Sequence, residues 1–330
     1  MSLPQFVSLL QIVAPIFLVM GAGYAMRKLG VLSAEADRSL IRVAVSLLAP
    51  SLAFDIIVGN EALSHPANWL LPPVLGFGSV ALGIGVAHAG ARLFRLPEGV
   101  ARRTFAFTNS LQNYGYIPIP LCYALFDRGT VGVLFAFCLG VELAFWSIAL
   151  WQLTGRAGKG SWRRVINPPM LAIPAALILN ALGGEKWIPG AVDTTFHMLG
   201  VCAVPMGLLM SGALIADFLN ARALRHGGRT FLAAVAVRVV AMPLLILAFA
   251  KYVPLDGALK SVLVVQAAMP AAIFPIVVTR VNNGDVPVAL QVVLGTSAIG
   301  LITIPLWIGF GLHWVFEEPL RGEIGSSAHF

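Results

Sequence analysis

Charged residues are scarce in this sequence. Only 11% of its 330 residues are Asp, Glu, Lys or Arg, whereas a soluble globular domain carries about 25%. The chain is 58% hydrophobic, and long apolar stretches recur along its whole length. Water cannot be the main solvent of such a chain. The sequence therefore predicts an all-α integral membrane protein.

The sequence also lacks the motifs of metal sites and enzymes. Its three cysteines lie inside apolar stretches without CxxC spacing, which argues against a disulfide framework and a zinc site. It has no P-loop, nucleophile elbow or zinc-protease signature. We therefore expect no enzyme, no metal and no bound cofactor, although coupling to a proton or sodium gradient stays open. The three cysteines are Cys122, Cys138 and Cys202.

Apolar stretches long enough to cross a bilayer organise the chain. We count ten, and most approach or exceed the roughly 20 residues that a spanning helix needs. No loop between them is long enough for a separate soluble domain. They cover residues 4–26, 39–58, 68–89, 104–126, 131–153, 167–182, 191–216, 230–250, 259–279 and 287–313.

The basic residues are distributed unequally between the two sides of these stretches. Loops after odd-numbered stretches hold 15 Lys and Arg. The other loops, both ends and the first turn of the ninth stretch hold 5, and Arg42 and Arg238 lie deeper within stretches. This is the positive-inside pattern, so the net charge of +7 does not indicate nucleic-acid binding. We predict a multi-pass protein of the cytoplasmic (inner) membrane with both termini outside and the loop around Lys159 inside.

An internal repeat relates the two halves. A shift of 155 residues places Pro50 on Pro205 and Pro120 on Pro275, and it also aligns Gly129 with Gly284. Because each half holds five stretches, the second enters the membrane from the opposite side, as in many secondary transporters. We predict inverted five-helix repeats at 1–153 and 167–313, a cytoplasmic linker at 154–166 and a tail at 314–330.

The fourth and ninth stretches carry prolines near their middles. A proline inside a helix removes a hydrogen bond and clashes with the preceding turn, so each stretch is predicted to break. Amides crowd the first break and one lies near the second, and each break begins a half-helix whose positive N-terminus and free N–H groups favour a carboxylate. The alternative is that the prolines only kink ordinary helices. The candidate binding residues are Asn109, Gln112, Asn113, Gly115, Pro118, Pro120, Gln266, Pro270 and Pro275.

Two charged residues lie deep within stretches and are functional candidates by default. Glu142 lies in the fifth stretch and Arg238 in the eighth. One hypothesis is that Glu142 carries a coupling proton while Arg238 binds a substrate carboxylate. The alternative is a buried structural ion pair between them.

Motifs in order along the chain resemble the auxin efflux carrier family. The resemblance covers essentially the whole chain, and the chain is similar to a short bacterial-type member of the family. Pro118 departs from the pattern, because the family usually has glycine there. The matching segments are Asn113-Tyr-Gly115-Tyr-Ile-Pro118-Ile-Pro120-Leu121, Gln266-Ala-Ala-Met269-Pro270-Ala-Ala-Ile-Phe-Pro275, Gly284-Asp285-Val-Pro287, Ile166-Asn167-Pro168-Pro169, Ala49-Pro50 and Val204-Pro205-Met206-Gly207.

The resemblance implies an architecture and a function. It implies ten transmembrane helices of the sodium/proton-antiporter type, with helices four and nine crossing at the substrate site. It also implies a scaffold of helices one, two, six and seven, often dimeric, and a transport domain made of the rest, which together suggest an elevator mechanism. The expected function is secondary transport of a small organic anion, with membrane lipid and a second copy as partners. Alternatives are a cation/proton antiporter and a non-transporting ligand sensor.

Overall fold

A computed structural model describes residues 2–155, 166–219 and 228–316. Within these ranges the chain is almost entirely helical. Short 3₁₀ turns occur at Glu61–Ser64 and Gly184–Trp187. The helices are α1 (Leu3–Lys28), α2 (Ala34–Ile57), α3 (Ala67–Leu93), α4 (Val100–Ser110), α5 (Pro118–Leu125), α6 (Arg128–Thr154), α7 (Pro168–Ala181), α8 (Gly190–Phe218), α9 (Gly228–Tyr252), α10 (Gly257–Ala268), α11 (Phe274–Val281) and α12 (Val286–Phe316).

Seven of the described helices are long and apolar enough to cross a membrane: α1, α2, α3, α6, α8, α9 and α12. Helix α7 has 14 residues, and the remaining four helices are short pieces of the fourth and ninth stretches. The expectation of an all-helical membrane protein is therefore met. The count of ten spans stays a prediction.

Polar side chains fix where several helices begin. Asp127 accepts from the backbone N–H of Thr130 at 2.7 Å, at the start of α6. Asn167 does the same for Met170 at 3.0 Å, at the start of α7, where prolines occupy the first positions. An N-terminal cap satisfies a donor that the helix itself leaves free, and proline at the first position needs no such partner.

Both proline-bearing stretches are split into half-helices, as predicted. Helix α4 ends at Ser110 and α5 starts at Pro118, so both prolines of this stretch, Pro118 and Pro120, lie just after the break rather than inside it. In the other stretch Pro270 lies between the half-helices and Pro275 is the second residue of α11. Proline is tolerated in a first turn, which explains these positions. The alternative of simple kinks is wrong.

Glycines allow two pairs of long helices to pack with their backbones in contact. A methyl group added at Gly212 of α8 would collide with the backbone of Met20 in α1. One added at Gly76 of α3 would collide with the backbone of Phe137 in α6, while Gly78, also on α3, has open space beside it. Small residues at such contacts are the usual means of close helix packing in membranes.

These contacts predict a difference between two glycines of the same helix. Gly76→Val should destabilise the protein by about 1–3 kcal/mol, the usual cost of overpacking, because the α6 backbone cannot move aside. Gly78→Val is the matched control and should change little. Thermal unfolding of the purified variants in detergent measures both. Equal melting temperatures for the two variants would contradict the close α3–α6 contact.

Candidate functional site

The two breaks cross each other through their backbones. Residues 111–117 and 269–273 are non-helical, and Gln112 and Ala271 form an antiparallel β-bridge. Backbone groups freed by the breaks are thereby satisfied without water, as a bilayer interior requires. The flanking hydrogen bonds run from Asn113 N to Pro270 O and from Ala272 N to Leu111 O, both at 2.8 Å.

Buried amide side chains surround this crossing with unused hydrogen-bonding capacity. Gln112 donates from Nε2 to Ser79 Oγ at 3.3 Å, and Gln266 donates from Nε2 to Tyr114 O at 3.0 Å. Neither Oε1 atom has a partner in the described part of the chain, nor do Oδ1 and Nδ2 of Asn109. Since buried polar atoms are nearly always paired, these atoms point to a polar ligand at the crossing.

Asn113 combines two roles at the same place. Its backbone N–H belongs to the crossing, and its side-chain Oδ1 accepts from the backbone N–H of Ile117 at 3.4 Å, just before α5. The side chain thus holds the residue that precedes the half-helix. No group among the described residues accepts from its Nδ2 atom, which leaves its two N–H donors for a ligand.

The start of α5 offers fewer backbone donors than predicted. Pro118 and Pro120 have no N–H, and the N–H of Ile119 donates to Gly115 O at 3.0 Å. The expectation that free N–H groups of this half-helix would bind an anion is therefore wrong for its first turn. The partial positive charge of the helix end remains, so hydrogen bonds to an anion would come from side-chain amides.

One side of the crossing is more open than the other. Tyr114, Gly115 and Tyr116 are partly exposed, and a methyl group added at Gly115 would meet nothing within 4 Å. The ring of Tyr116 packs against Gly207 of α8. Asn109, by contrast, is completely buried. The crossing therefore has one face towards α8 and another inside the packed helices.

Glu142 is joined to the first break through a tyrosine. Its carboxylate accepts from Tyr114 Oη at 2.5 Å and from Trp146 Nε1 at 2.8 Å. The side-chain amide of Asn167, which caps α7, lies near the same carboxylate. The carboxylate is thus held by neutral donors from the break and from its own helix, with the start of α7 nearby.

Arg238 has no contact with this carboxylate. It lies in a π-helical turn of α9, Val235–Ala241, and donates from Nη1 to Asn109 O at 3.3 Å. Neither Arg238 nor Glu142 takes part in a salt bridge among the described residues. The interpretation of the two as a structural ion pair is wrong in this conformation, because each is held by a different part of the crossing. A double substitution is therefore not expected to restore what either single substitution loses.

Sequence reasoning missed three residues that support the crossing. Tyr114 links both Glu142 and Gln266 to the first break, and its place between Asn113 and Gly115 was a signal that could have identified it. Ser79 and Thr296 lie in ordinary apolar stretches and gave no such signal. Thr296 Oγ1 accepts from Ala271 N at 3.2 Å, which satisfies another freed backbone group.

The sequence profile described as membrane transport protein matches residues 8–162 and 156–308. The chain belongs to this family, that of the auxin efflux carriers. The resemblance drawn from the motifs is confirmed. The family is one of membrane transporters, so this chain is an integral membrane transporter.

Named relatives agree with this assignment. An uncharacterized transporter of Methanothermobacter thermautotrophicus is 28% identical over 291 residues, covering 86% of this chain and 92% of the relative. An uncharacterized transporter of Methanocaldococcus jannaschii is 24% identical over 307 residues, covering 90% and 97%. Auxin efflux carrier component 1 of Arabidopsis thaliana is 29% identical over 155 residues, covering 46% of this chain and 25% of the plant protein.

Proposed function

We propose that this transporter is a secondary carrier that moves a small organic anion through the crossing of its two broken helices. The observation that carries the proposal is the set of buried amides at the crossing whose polar atoms have no partner among the described residues. Two half-helix N-termini start beside these amides, and their partial positive charge favours a carboxylate over a cation. Carriers commonly bind substrates at such paired breaks.

The architecture that we propose has ten spans in two inverted repeats. Helix pairs α4/α5 and α10/α11 would each count as one span, and the short α7 as another. The repeats would cover 1–153 and 167–313, joined by the linker 154–166 and followed by the tail 314–330. In support, the two breaks occupy equivalent places in the two halves. Pro120 and its repeat equivalent Pro275 lie in the first turns of α5 and α11, respectively.

The mechanism that we propose is an elevator. Helices α1, α2, α7 and α8 would form a scaffold, through which two copies associate, and the remaining helices would carry the substrate. Close packing of α1 against α8 through Gly23 and Gly212 supports a rigid scaffold. Contacts between Tyr116 and Gly207, and between Glu142 and Asn167, would then lie on the boundary between the moving and fixed parts.

Orientation in the inner membrane can be tested by cysteine labelling. We expect a single cysteine at position 186 to react with an impermeant maleimide on intact cells, because Lys186 is exposed in a turn assigned to the outer side. A single cysteine at position 159, which lies outside the described residues, should react only after permeabilisation. Both are placed in a background with Cys122, Cys138 and Cys202 replaced by serine. The opposite labelling pattern would reverse the orientation.

Counterflow in proteoliposomes tests the proposed function. We expect labelled organic carboxylates to exchange into liposomes preloaded with the same unlabelled anion, and a panel of mono- and dicarboxylates would identify the class. Uptake should respond to an imposed pH or sodium gradient if transport is coupled. Exchange of alkali cations for protons with no carboxylate movement would support the antiporter alternative, and binding without exchange would support a sensor.

A further inference from the structure

Arg238 is a completely buried cation, and within the described part of the chain only one of its donor atoms has a partner. The residue is 1% exposed, and its Nη1 atom donates to the carbonyl of Asn109 at 3.3 Å. Asn109 is the next-to-last residue of α4, whose C-terminal carbonyls carry partial negative charge. The contact with the helix end therefore fixes the position of the guanidinium beside the crossing.

The other edge of the guanidinium is unused. Nε and Nη2 of Arg238 are buried and have no hydrogen-bond partner among the described residues, and no carboxylate there lies within salt-bridge distance. These two atoms form the side-on edge of the guanidinium, whose parallel N–H bonds match the two oxygens of a carboxylate. Nδ2 of Asn109, the residue that anchors Arg238, is a further buried donor without a partner.

We propose that the Nε–Nη2 edge of Arg238, with Asn109 Nδ2, is the fork that binds a carboxylate-type anion in this carrier. The inference rests on the proposed transport of organic anions and assigns the recognition of the charged end to these two residues. Capping the end of α4 requires one donor and no planar fork. A buried guanidinium without a counter-anion is costly. Glu142, the ion-pair partner that the sequence suggested, instead accepts hydrogen bonds from Tyr114 and Trp146.

Two substitutions separate binding from capping. Arg238→Lys keeps a positive charge that can cap Asn109 O but lacks the bidentate edge, and Arg238→Gln removes the charge. Arg92→Lys, on the exposed last turn of α3, is the matched control. Melting temperatures of the purified proteins are measured in detergent while sodium succinate, sodium acetate or sodium chloride is titrated, which gives an apparent dissociation constant for each anion.

We expect the wild type and Arg92→Lys to be stabilised by succinate or acetate. Arg238→Gln should bind these anions roughly ten- to a hundredfold more weakly, as expected when a charge-assisted contact is lost. Without ligand, Arg238→Lys should melt at the wild-type temperature. Its affinity for the anions should nevertheless stay as low as that of Arg238→Gln. Wild-type affinity in Arg238→Lys would overturn the fork, as would a wild type that no carboxylate stabilises. Stabilisation by chloride alone, lost in both variants, would also overturn it, in favour of a resident inorganic anion.

Counterflow by the same proteins distinguishes the failure of this inference from the failure of the proposed function. If Arg238→Lys exchanges carboxylates with an unchanged half-saturation concentration, anion transport is supported and carboxylate binding by the Nε–Nη2 edge is refuted. If the wild type exchanges no carboxylate but binds succinate through Arg238, carboxylate binding by this edge is supported and the proposed transport is refuted. The lysine variant also covers the case in which Arg238→Gln does not fold.

Discussion

Uptake by Asn113→Ala should fall to background while the protein still folds and inserts. The substitution keeps the backbone hydrogen bond from residue 113 to Pro270 O, so the crossing itself survives. It removes the hydrogen bond from Ile117 N to the side chain, which costs about 1 kcal/mol. It also removes the Nδ2 donor that we assign to the substrate. Counterflow in proteoliposomes, together with the melting temperature of the same preparation, measures the two effects separately.

A matched control comes from Asn68, another buried asparagine. Its Nδ2 atom donates to Ala62 O at 3.0 Å, away from the crossing. Asn68→Ala should therefore cost a similar amount of stability and leave transport intact. Wild-type counterflow by a well-folded Asn113→Ala variant would remove Asn113 from the site. Loss of transport in both variants would show that stability, rather than a contact with the substrate, limits uptake.

The parts of this fold that could be predicted follow from local chemistry. Prolines disfavour an uninterrupted helix, and the positions of Pro118, Pro120, Pro270 and Pro275 identified both breaks. Proline alone does not decide this, because Pro15 and Pro305 lie inside continuous helices. Amides beside the breaks likewise predicted where polar groups would collect. Pro118 and Pro120 also explain why the expected backbone donors are missing at the start of α5, because proline has no N–H group to donate.

The partners of the buried charges could not be predicted in the same way. Glu142 meets Tyr114, which is 28 positions away, and Arg238 meets the carbonyl of Asn109, which is 129 positions away. A backbone carbonyl or a tyrosine hydroxyl carries no charge pattern that a sequence displays. Pairing the two opposite charges was the simplest electrostatic expectation, and only the helix packing shows that each has neutral partners.

Those neutral partners make Glu142 the strongest candidate for coupling. A carboxylate that is held by Tyr114 and Trp146, with no cation beside it in the described part of the chain, can exist with or without its proton, since no counter-charge there enforces one state. Protonation replaces an acceptor by a donor and so must rearrange the contacts with Tyr114 in the break and with Asn167 at the start of α7. A proton on Glu142 can thereby alter both the binding site and the proposed boundary between scaffold and transport domain.

Glu142→Gln should therefore separate exchange from coupling. Glutamine resembles the protonated acid, so we expect counterflow to persist while accumulation driven by a pH gradient is lost. Each pH unit can sustain about tenfold accumulation for every coupled proton, so the wild type and the variant should differ by about that factor. Both are measured in proteoliposomes with an imposed pH gradient, and Glu61→Gln, on an exposed turn, is the matched control. Undiminished accumulation by Glu142→Gln would exclude Glu142 as the proton carrier, and loss of counterflow as well would indicate that this carboxylate holds the first break in place.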